Sequence, residues 1–182
     1  VVLPVDQIDE VSELDDIADF MLLHEREIVA RCDDSVVRFS GDDRKFIRRS
    51  RGWAPSPIKL DFEGDPVLAL GAELDNTVAI SDGKNCYVSQ HIGDVDNLET
   101  LEFLEQTIEH LASVTGLEVP NRMACDLHPE FLTTDLAEQM SKDPIQIQHH
   151  HAHLAGILGE NELDETVGIA VDGVGYGPDG TI

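Results

Sequence analysis

"PVLALGAELDNTVAISDGKNCYVSQ", residues 66 to 90, holds three apolar runs, PVLALGAE, NTVAIS and NCYVSQ, with Asp82-Gly83 between the last two. Asp-Gly closes β-hairpins because glycine takes a positive φ without steric cost, so the stretch predicts consecutive strands joined by tight turns. The period then changes. Leu101, Leu104, Ile108 and Leu111 mark one stripe of a long helix, with Asp96 and Glu99 at its start and Gly116 at its end. RMACDL (122–127) reads as a strand, EFLTTDLAEQM (130–140) as a helix, PIQIQ (144–148) as a strand leading into a histidine-rich helix, and TVGIAVD (166–172) as a final strand. Hairpin strands followed by strand and helix in turn predict an α/β fold with a mixed sheet of the ribonuclease H-like type, in preference to a doubly wound parallel sheet.

Upstream, Ser12, Asp15 and the spacing of Leu14, Ile17, Phe20 and Met21 predict an amphipathic helix up to about His24. EIVAR (27–31), SVVRF (35–39) and KFIRR (45–49) read as strands, the last two joined by a turn at Gly41-Asp42-Asp43. Pro55, Pro57 and Pro66, with Gly52 and Gly64, break the pattern and place a domain boundary between about 55 and 66.

The 182 residues, 41% of them hydrophobic, suffice for a real core. No apolar run reaches the ~20 residues that span a bilayer, and VVLPVDQIDE lacks the basic start of a signal peptide, so the expected location is the cytoplasm and no membrane is engaged. Cys32, Cys86 and Cys125 form no C-x-x-C pair and read as reduced thiols. With 37 acidic against 12 basic residues the net charge is −25, which opposes nucleic-acid binding. An Asp-rich, Lys-poor surface of this kind resembles that of a halophile's cytoplasmic protein, the plainer reading being acidity for solubility alone. Arg38, Arg44, Lys45, Arg48, Arg49 and Arg51 crowd together. Either an anionic ligand holds them, since guanidinium forks suit phosphate and carboxylate, or they pair with Asp33, Asp34, Asp42 and Asp43.

QIQHHHAHLAG (146–156) carries four of the eight histidines between apolar flanks, which argues against a purification tag. A helix starting near His149 stacks His149 and His153 on one face, half of a metal site; a helix start with exposed histidines is the simpler alternative. Asp172 stands in VDGVGYGPDG, where glycines open the backbone to ligands. Two histidines and a carboxylate make a set suited to Zn(II) or Fe(II), although turn chemistry alone accounts for Asp172-Gly173 and for Asp179-Gly180 taken singly.

Seven motifs in order, RCDDSVVR (31–38), IRRSRGWAPSPI (47–58), LGAELDNT (70–77), SQHIGDVDNLET (89–100), CDLHPEFLTT (125–134), QHHHAHLA (148–155) and AVDGVGYGPDGT (170–181), resemble the HypF-type hydrogenase maturation carbamoyltransferases. The resemblance implies that residues 1–60 are the C-terminal part of a YrdC-like α/β domain. It implies that residues 66–182 begin a transferase domain related to tRNA threonylcarbamoyl transferases, its first ribonuclease H-like (ASKHA/actin-like) half. The chain would then be a piece of a larger enzyme, without catalysis of its own.

In such an enzyme carbamoyl phosphate and ATP, with Mg(II), give carbamoyl adenylate, and the carbamoyl group passes to the C-terminal cysteine of a HypE-type acceptor protein. The resemblance further implies that His149, His153 and Asp172 are metal ligands, a further Asp lying beyond Ile182. It places Ser35, Arg38, Arg48, Arg49 and Arg51 where the YrdC-like domain meets anionic substrate, and it singles out no catalytic residue. One departure stands out: where the family usually has Lys, this chain has Asp75, inverting a charge near the first hairpin. Two other readings compete. An O-carbamoyltransferase of antibiotic or nodulation-factor type shares both domains but in the reverse order, and a non-catalytic metal-binding module would bind metal without the adenylate.

Overall fold

The structure, a computed structural model, describes residues 19–20, 28–161, 163, 165–173 and 175–181. The chain divides into two compact units, Val1–Arg31 and Cys32–Ile182. In the first, the helix expected over 12–24 falls outside the described residues except at Asp19 and Phe20, which are not helical. The strand expected at EIVAR does not form over Ile28–Arg31, and Val29 is exposed.

The second unit opens with a two-stranded antiparallel hairpin, β1 (Val36–Ser40) and β2 (Asp43–Arg48), as the sequence predicts. Ser40 pairs with Asp43 across a turn in which Gly41 takes φ 65°, a left-handed conformation that β-branched residues avoid. Phe46 and Trp53 meet edge to face at 5.1 Å, and the Arg44 guanidinium lies 4.0 Å from the Trp53 ring centre.

The remaining strands build one six-stranded sheet: β3 (Ile58–Lys59), β4 (Val67–Ala69), β5 (Ala79–Ser81), β6 (Asn85–Val88), β7 (Met123–Asp126) and β8 (Ile145–Ile147). Their order is β3-β6-β5-β4-β7-β8. The first four are antiparallel neighbours, while β4, β7 and β8 run parallel. The β5–β6 turn is where Asp82-Gly83 predicts it. The Asp82 carboxylate accepts the Lys84 and Asn85 backbone N–H groups, and Gly83 takes φ 97°. Its missing side chain also matters, because a Cβ there would sit 2.2 Å from the Gly64 carbonyl oxygen. β3, within the Pro- and Gly-rich stretch, pairs with β6 as an edge strand.

Parallel neighbours need crossover connections, and helices supply them. α1 (Leu98–Thr115) lies between β6 and β7, and α2 (Leu132–Met140) between β7 and β8. The buried stripe of α1 is the one read from its spacing, with Leu104, Ile108 and Leu111 each at most 3% exposed. They pack with Leu68, Leu70, Val78, Ile80, Met123 and Cys125 of the sheet region into one core, joined by Leu136 and Ala137 of α2. The cap of α1 differs from expectation. Asn97, not Asp96, occupies it and accepts the Thr100 N–H at 2.9 Å, whereas Gly116 ends the helix at φ 69° as read.

The final strand expected over 166–172 is absent. Val167, Ile169 and Val171 are 99%, 86% and 94% exposed. Among the described residues no strand lies beside this stretch, so its alternating apolar pattern finds no ladder to join. No described helix is long and apolar enough to cross a membrane.

Candidate metal centre

The C-terminal ends of β4, β7 and β8 lie side by side, and such an edge of a parallel sheet is where open α/β folds collect ligands. One residue after β8 the chain enters α3 (His149–Glu160), whose N-cap Gln148 accepts the His151 N–H through its side chain at 2.9 Å. The helix therefore begins where the sequence predicts. Its first turn stacks His149 and His153, with Nε2 atoms 3.2 Å apart and ring centres 4.8 Å apart.

Asp172, arriving from a segment without strand pairing, places Oδ2 2.9 Å from Nε2 of His149 and 3.2 Å from Nε2 of His153. The three candidate ligand atoms lie within 4.8 Å of one another. Ligands sharing one ion through bonds of about 2.1 Å sit roughly 3.0 Å apart in octahedral and 3.4 Å apart in tetrahedral geometry, so the triangle has the dimensions of a coordination face.

Behind His149 stands a residue to which the sequence reading gives no role. Asp126, at the end of β7, brings Oδ2 within 2.7 Å of His149 Nδ1, and only 5% of its side chain is exposed. The hint in the sequence was positional: a carboxylate closing a strand that neighbours the one leading into the histidines. Burial disfavours protonated His149, but hydrogen bonds and charge from Asp126 and Asp172 outweigh it and hold the imidazole above its ordinary value.

The other residues of the two motifs have different duties. His150 turns toward the glycine-rich loop, where a Cβ on Gly175 would come within 2.4 Å of its Nε2, so only glycine admits the ring. Asp179 accepts from the Thr181 hydroxyl at 2.8 Å, a local turn away from the centre, in keeping with its turn reading. A cavity of about 700 Å³ opens beside His149 and His153, with Ile58, Phe62, Val88 and Ile157 on its walls. Cys86 and Cys125 also line it, and burial raises both thiols above their ordinary value, leaving them poor nucleophiles at neutral pH.

Three of the arginines have local partners. Arg48 pairs with Asp33 at 3.4 Å and Arg51 with Asp34 at 3.3 Å, the local pairing that was the alternative to an anionic ligand. Ser35 is engaged by backbone, donating to the Arg51 carbonyl at 2.9 Å and accepting the Ser50 N–H at 2.8 Å. Arg49 donates to the carbonyls of Ser56 at 2.7 Å and Val88 at 3.5 Å, and burial pulls its guanidinium below the ordinary value. Arg38 is opposite Lys45 in the hairpin register and Arg48 is opposite Val36, with a bulge between the two pairs. Asp75 adopts φ 48° and donates its N–H to Asp94 at 2.9 Å, with its own carboxylate exposed and 4.0 Å from His91 Nε2.

Comparison with known proteins places this geometry in context. The family model described as "HypF Kae1-like domain" matches residues 63–160. Carbamoyltransferase HypF2 of Cupriavidus necator is 47% identical over 181 residues, covering 94% of this chain and 22% of that protein. Carbamoyltransferase HypF of Rhizobium leguminosarum bv. viciae is 41% identical, covering 98% and 24%. Among solved structures, HypF of T. kodakarensis superposes with a TM-score of 0.86 at 44% identity, over 96% of this chain and 24% of that one. Full-length HypF in a phosphate- and nucleotide-bound form gives 0.85 at 42% identity, over 94% and 28%. The chain thus spans about a quarter of the length of these relatives.

Proposed function

This chain belongs to the HypF family, and from that membership we propose that it forms part of a carbamoyltransferase of nickel-iron hydrogenase maturation. In this reading residues 1–60 close a YrdC-like domain and residues 66–182 open the Kae1-like transferase domain. Within residues 66–182, the antiparallel run β6-β5-β4 continuing into parallel β7 and β8 supports a ribonuclease H-like core for the transferase domain. The observation that carries the proposal is the convergence of His149, His153 and Asp172 at the parallel edge of that sheet.

These three side chains would hold Zn(II) or Fe(II): two imidazoles and one carboxylate suit either ion. Bound there, the ion supplies Lewis acidity or an anchor beside carbamoyl adenylate, which the intact enzyme makes from carbamoyl phosphate and ATP with Mg(II). The chain's own part is to orient the ligands and to provide the adjoining cavity, with largely apolar walls, in which the carbamoyl group would sit. The carbamoyl group then passes to the C-terminal cysteine of a HypE-type acceptor. Ser35, Arg38, Arg48, Arg49 and Arg51 would serve the adenylating step. Because Arg48 and Arg51 pair with local acids, that role requires substrate phosphate to displace Asp33 or Asp34.

The test uses the intact protein and separates the two steps. Replacing His149 and His153 together by Ala should abolish carbamoyl transfer to the acceptor while carbamoyl-phosphate-dependent cleavage of ATP to AMP and pyrophosphate continues. Transfer at the wild-type rate in that variant would refute the assignment. Metal binding in a wild-type protein that forms no carbamoyl adenylate would favour a non-catalytic metal module. Unchanged adenylate formation after Arg48→Ala and Arg49→Ala together would leave those side chains a structural role alone.

A further inference from the structure

We propose that Asp126 is the positioning residue of this centre: it holds the Nδ1 proton of His149, so that the Nε2 lone pair faces the point where Nε2 of His153 and Oδ2 of Asp172 converge. The inference rests on the metal-binding reading above and adds to it a residue that touches no ligand-facing atom. Which ring nitrogen of a histidine is free to bind a metal is decided by the hydrogen bond that the other nitrogen makes. For His149 that bond is the 2.7 Å contact with Asp126.

Asp126 is itself held in place by its neighbours. Its Oδ1 accepts the His128 backbone N–H at 2.9 Å, and its backbone carbonyl accepts the Thr134 hydroxyl at 3.3 Å from α2. The next residue, Leu127, donates its N–H to the Ile147 carbonyl at 3.0 Å, tying the segment to β8 two residues before His149. A charge 95% removed from solvent is costly unless hydrogen bonds compensate it, and one of the groups compensating this one is the ring it orients. His153 offers the contrast. Its side chain is 57% exposed, and among the described residues its Nδ1 has no partner. His149 is therefore the anchored ligand and His153 the adjustable one.

Both carboxylate oxygens of Asp126 act as acceptors, which makes the isosteric Asn a sharp probe. An amide has one oxygen. If it stays with the His128 N–H, the NH2 group faces His149 Nδ1, which must then accept, and the ring proton moves to the nitrogen that the metal requires. Loss of an outer-shell partner typically costs about 10–100-fold in metal affinity, and Asp126→Asn should fall in that range.

The intact protein, stripped of metal, is titrated with Zn(II) against a competing chelator, and the Zn(II)-loaded form with 15N-labelled histidine is observed by NMR. In the wild type, His149 should carry a proton on Nδ1 and the metal on Nε2. Asp126→Asn should weaken Zn(II) binding about 10–100-fold with a near-normal melting temperature, and Asp126→Glu, which keeps two acceptors, should recover part of the loss. Wild-type affinity in Asp126→Asn, or Zn(II) on Nδ1 of His149, would overturn the inference. The NMR result stands on the wild type alone, should a variant fold poorly. A wild type that binds neither Zn(II) nor Fe(II) is a different failure: it overturns the metal reading itself.

Discussion

Replacing Asn76 by Ala should destabilise the protein by about 2 kcal/mol, with the loss arising at one buried turn. Asn76 is 2% exposed, and its side-chain amide donates to the carbonyls of Leu70, at 2.8 Å, and Ala72. It thereby ties the end of β4 to the start of β5. Removing the amide from the fully buried Leu70 carbonyl costs about 1–3 kcal/mol, and the half-exposed Ala72 carbonyl adds about 0.5–1 kcal/mol. Asn76 Oδ1 is itself buried without a hydrogen-bond partner among the described residues, so its removal offsets about 1 kcal/mol. In a chain of this size a loss of about 2 kcal/mol lowers the melting temperature by about 4–8 °C. Asn76→Asp should be worse than Ala, because a carboxylate would face both carbonyls. Thermal and urea unfolding followed by circular dichroism measures the series. An Ala variant melting within about 1 °C of wild type, or an Asp variant as stable as the Ala variant, would refute the reasoning. Since Gly71 and Ala72 line the cavity beside the histidines, the turn is also part of the site's wall.

Three further outcomes follow from charge and backbone geometry. With a net charge of −25, self-repulsion should be relieved by screening, so the melting temperature should be higher in 2 M than in 0.1 M KCl; no change, or a fall, would remove the basis for reading the acidity as a salt adaptation. His149, held above its ordinary value of about 6.5, contributes stability in the metal-free protein that is fully present below that pH and is lost as pH rises through its raised value. The stability difference between wild type and His149→Ala in chelator should therefore shrink with rising pH, and a difference that grows would contradict the carboxylate contacts. Gly71 and Gly116 share a left-handed φ near 70°, but a Cβ on Gly71 would meet the Thr77 carbonyl oxygen at 2.7 Å whereas Gly116 has nothing within 4 Å. Gly116→Ala should cost about 1–2 kcal/mol and Gly71→Ala distinctly more, read from urea midpoints; equal losses would refute the close approach.

Most of the sheet was legible because its signals are local. Asp82-Gly83 fixed one hairpin, the 3.6-residue stripe through Leu104, Ile108 and Leu111 fixed α1, and the four-residue interval between His149 and His153 brought their rings together. What was missed depends on neighbours that spacing does not reveal. Val167, Ile169 and Val171 carry a strand pattern, yet a pattern makes a ladder only beside a partner, and these residues have none among those described. The contact of Asp126 with His149 was at most hinted at for a related reason: it lies 23 residues before His149 and reaches it because β7 and β8 are parallel neighbours. The arginines illustrate a third limit. Composition shows a cluster of positive charge but not its partners: Asp33 and Asp34 engage Arg48 and Arg51, and the Ser56 carbonyl accepts from Arg49.

The central claim is that His149, His153 and Asp172 hold one metal ion, and diffraction from crystals of the intact protein grown with Zn(II), recorded on both sides of the zinc absorption edge, tests it most directly. The account predicts a single strong anomalous peak about 2.0–2.2 Å from Nε2 of both histidines and from a carboxylate oxygen of Asp172, with His149 Nδ1 still bonded to Asp126. The absence of a peak among the three side chains, or a zinc ion held elsewhere while they keep their present positions, would contradict it.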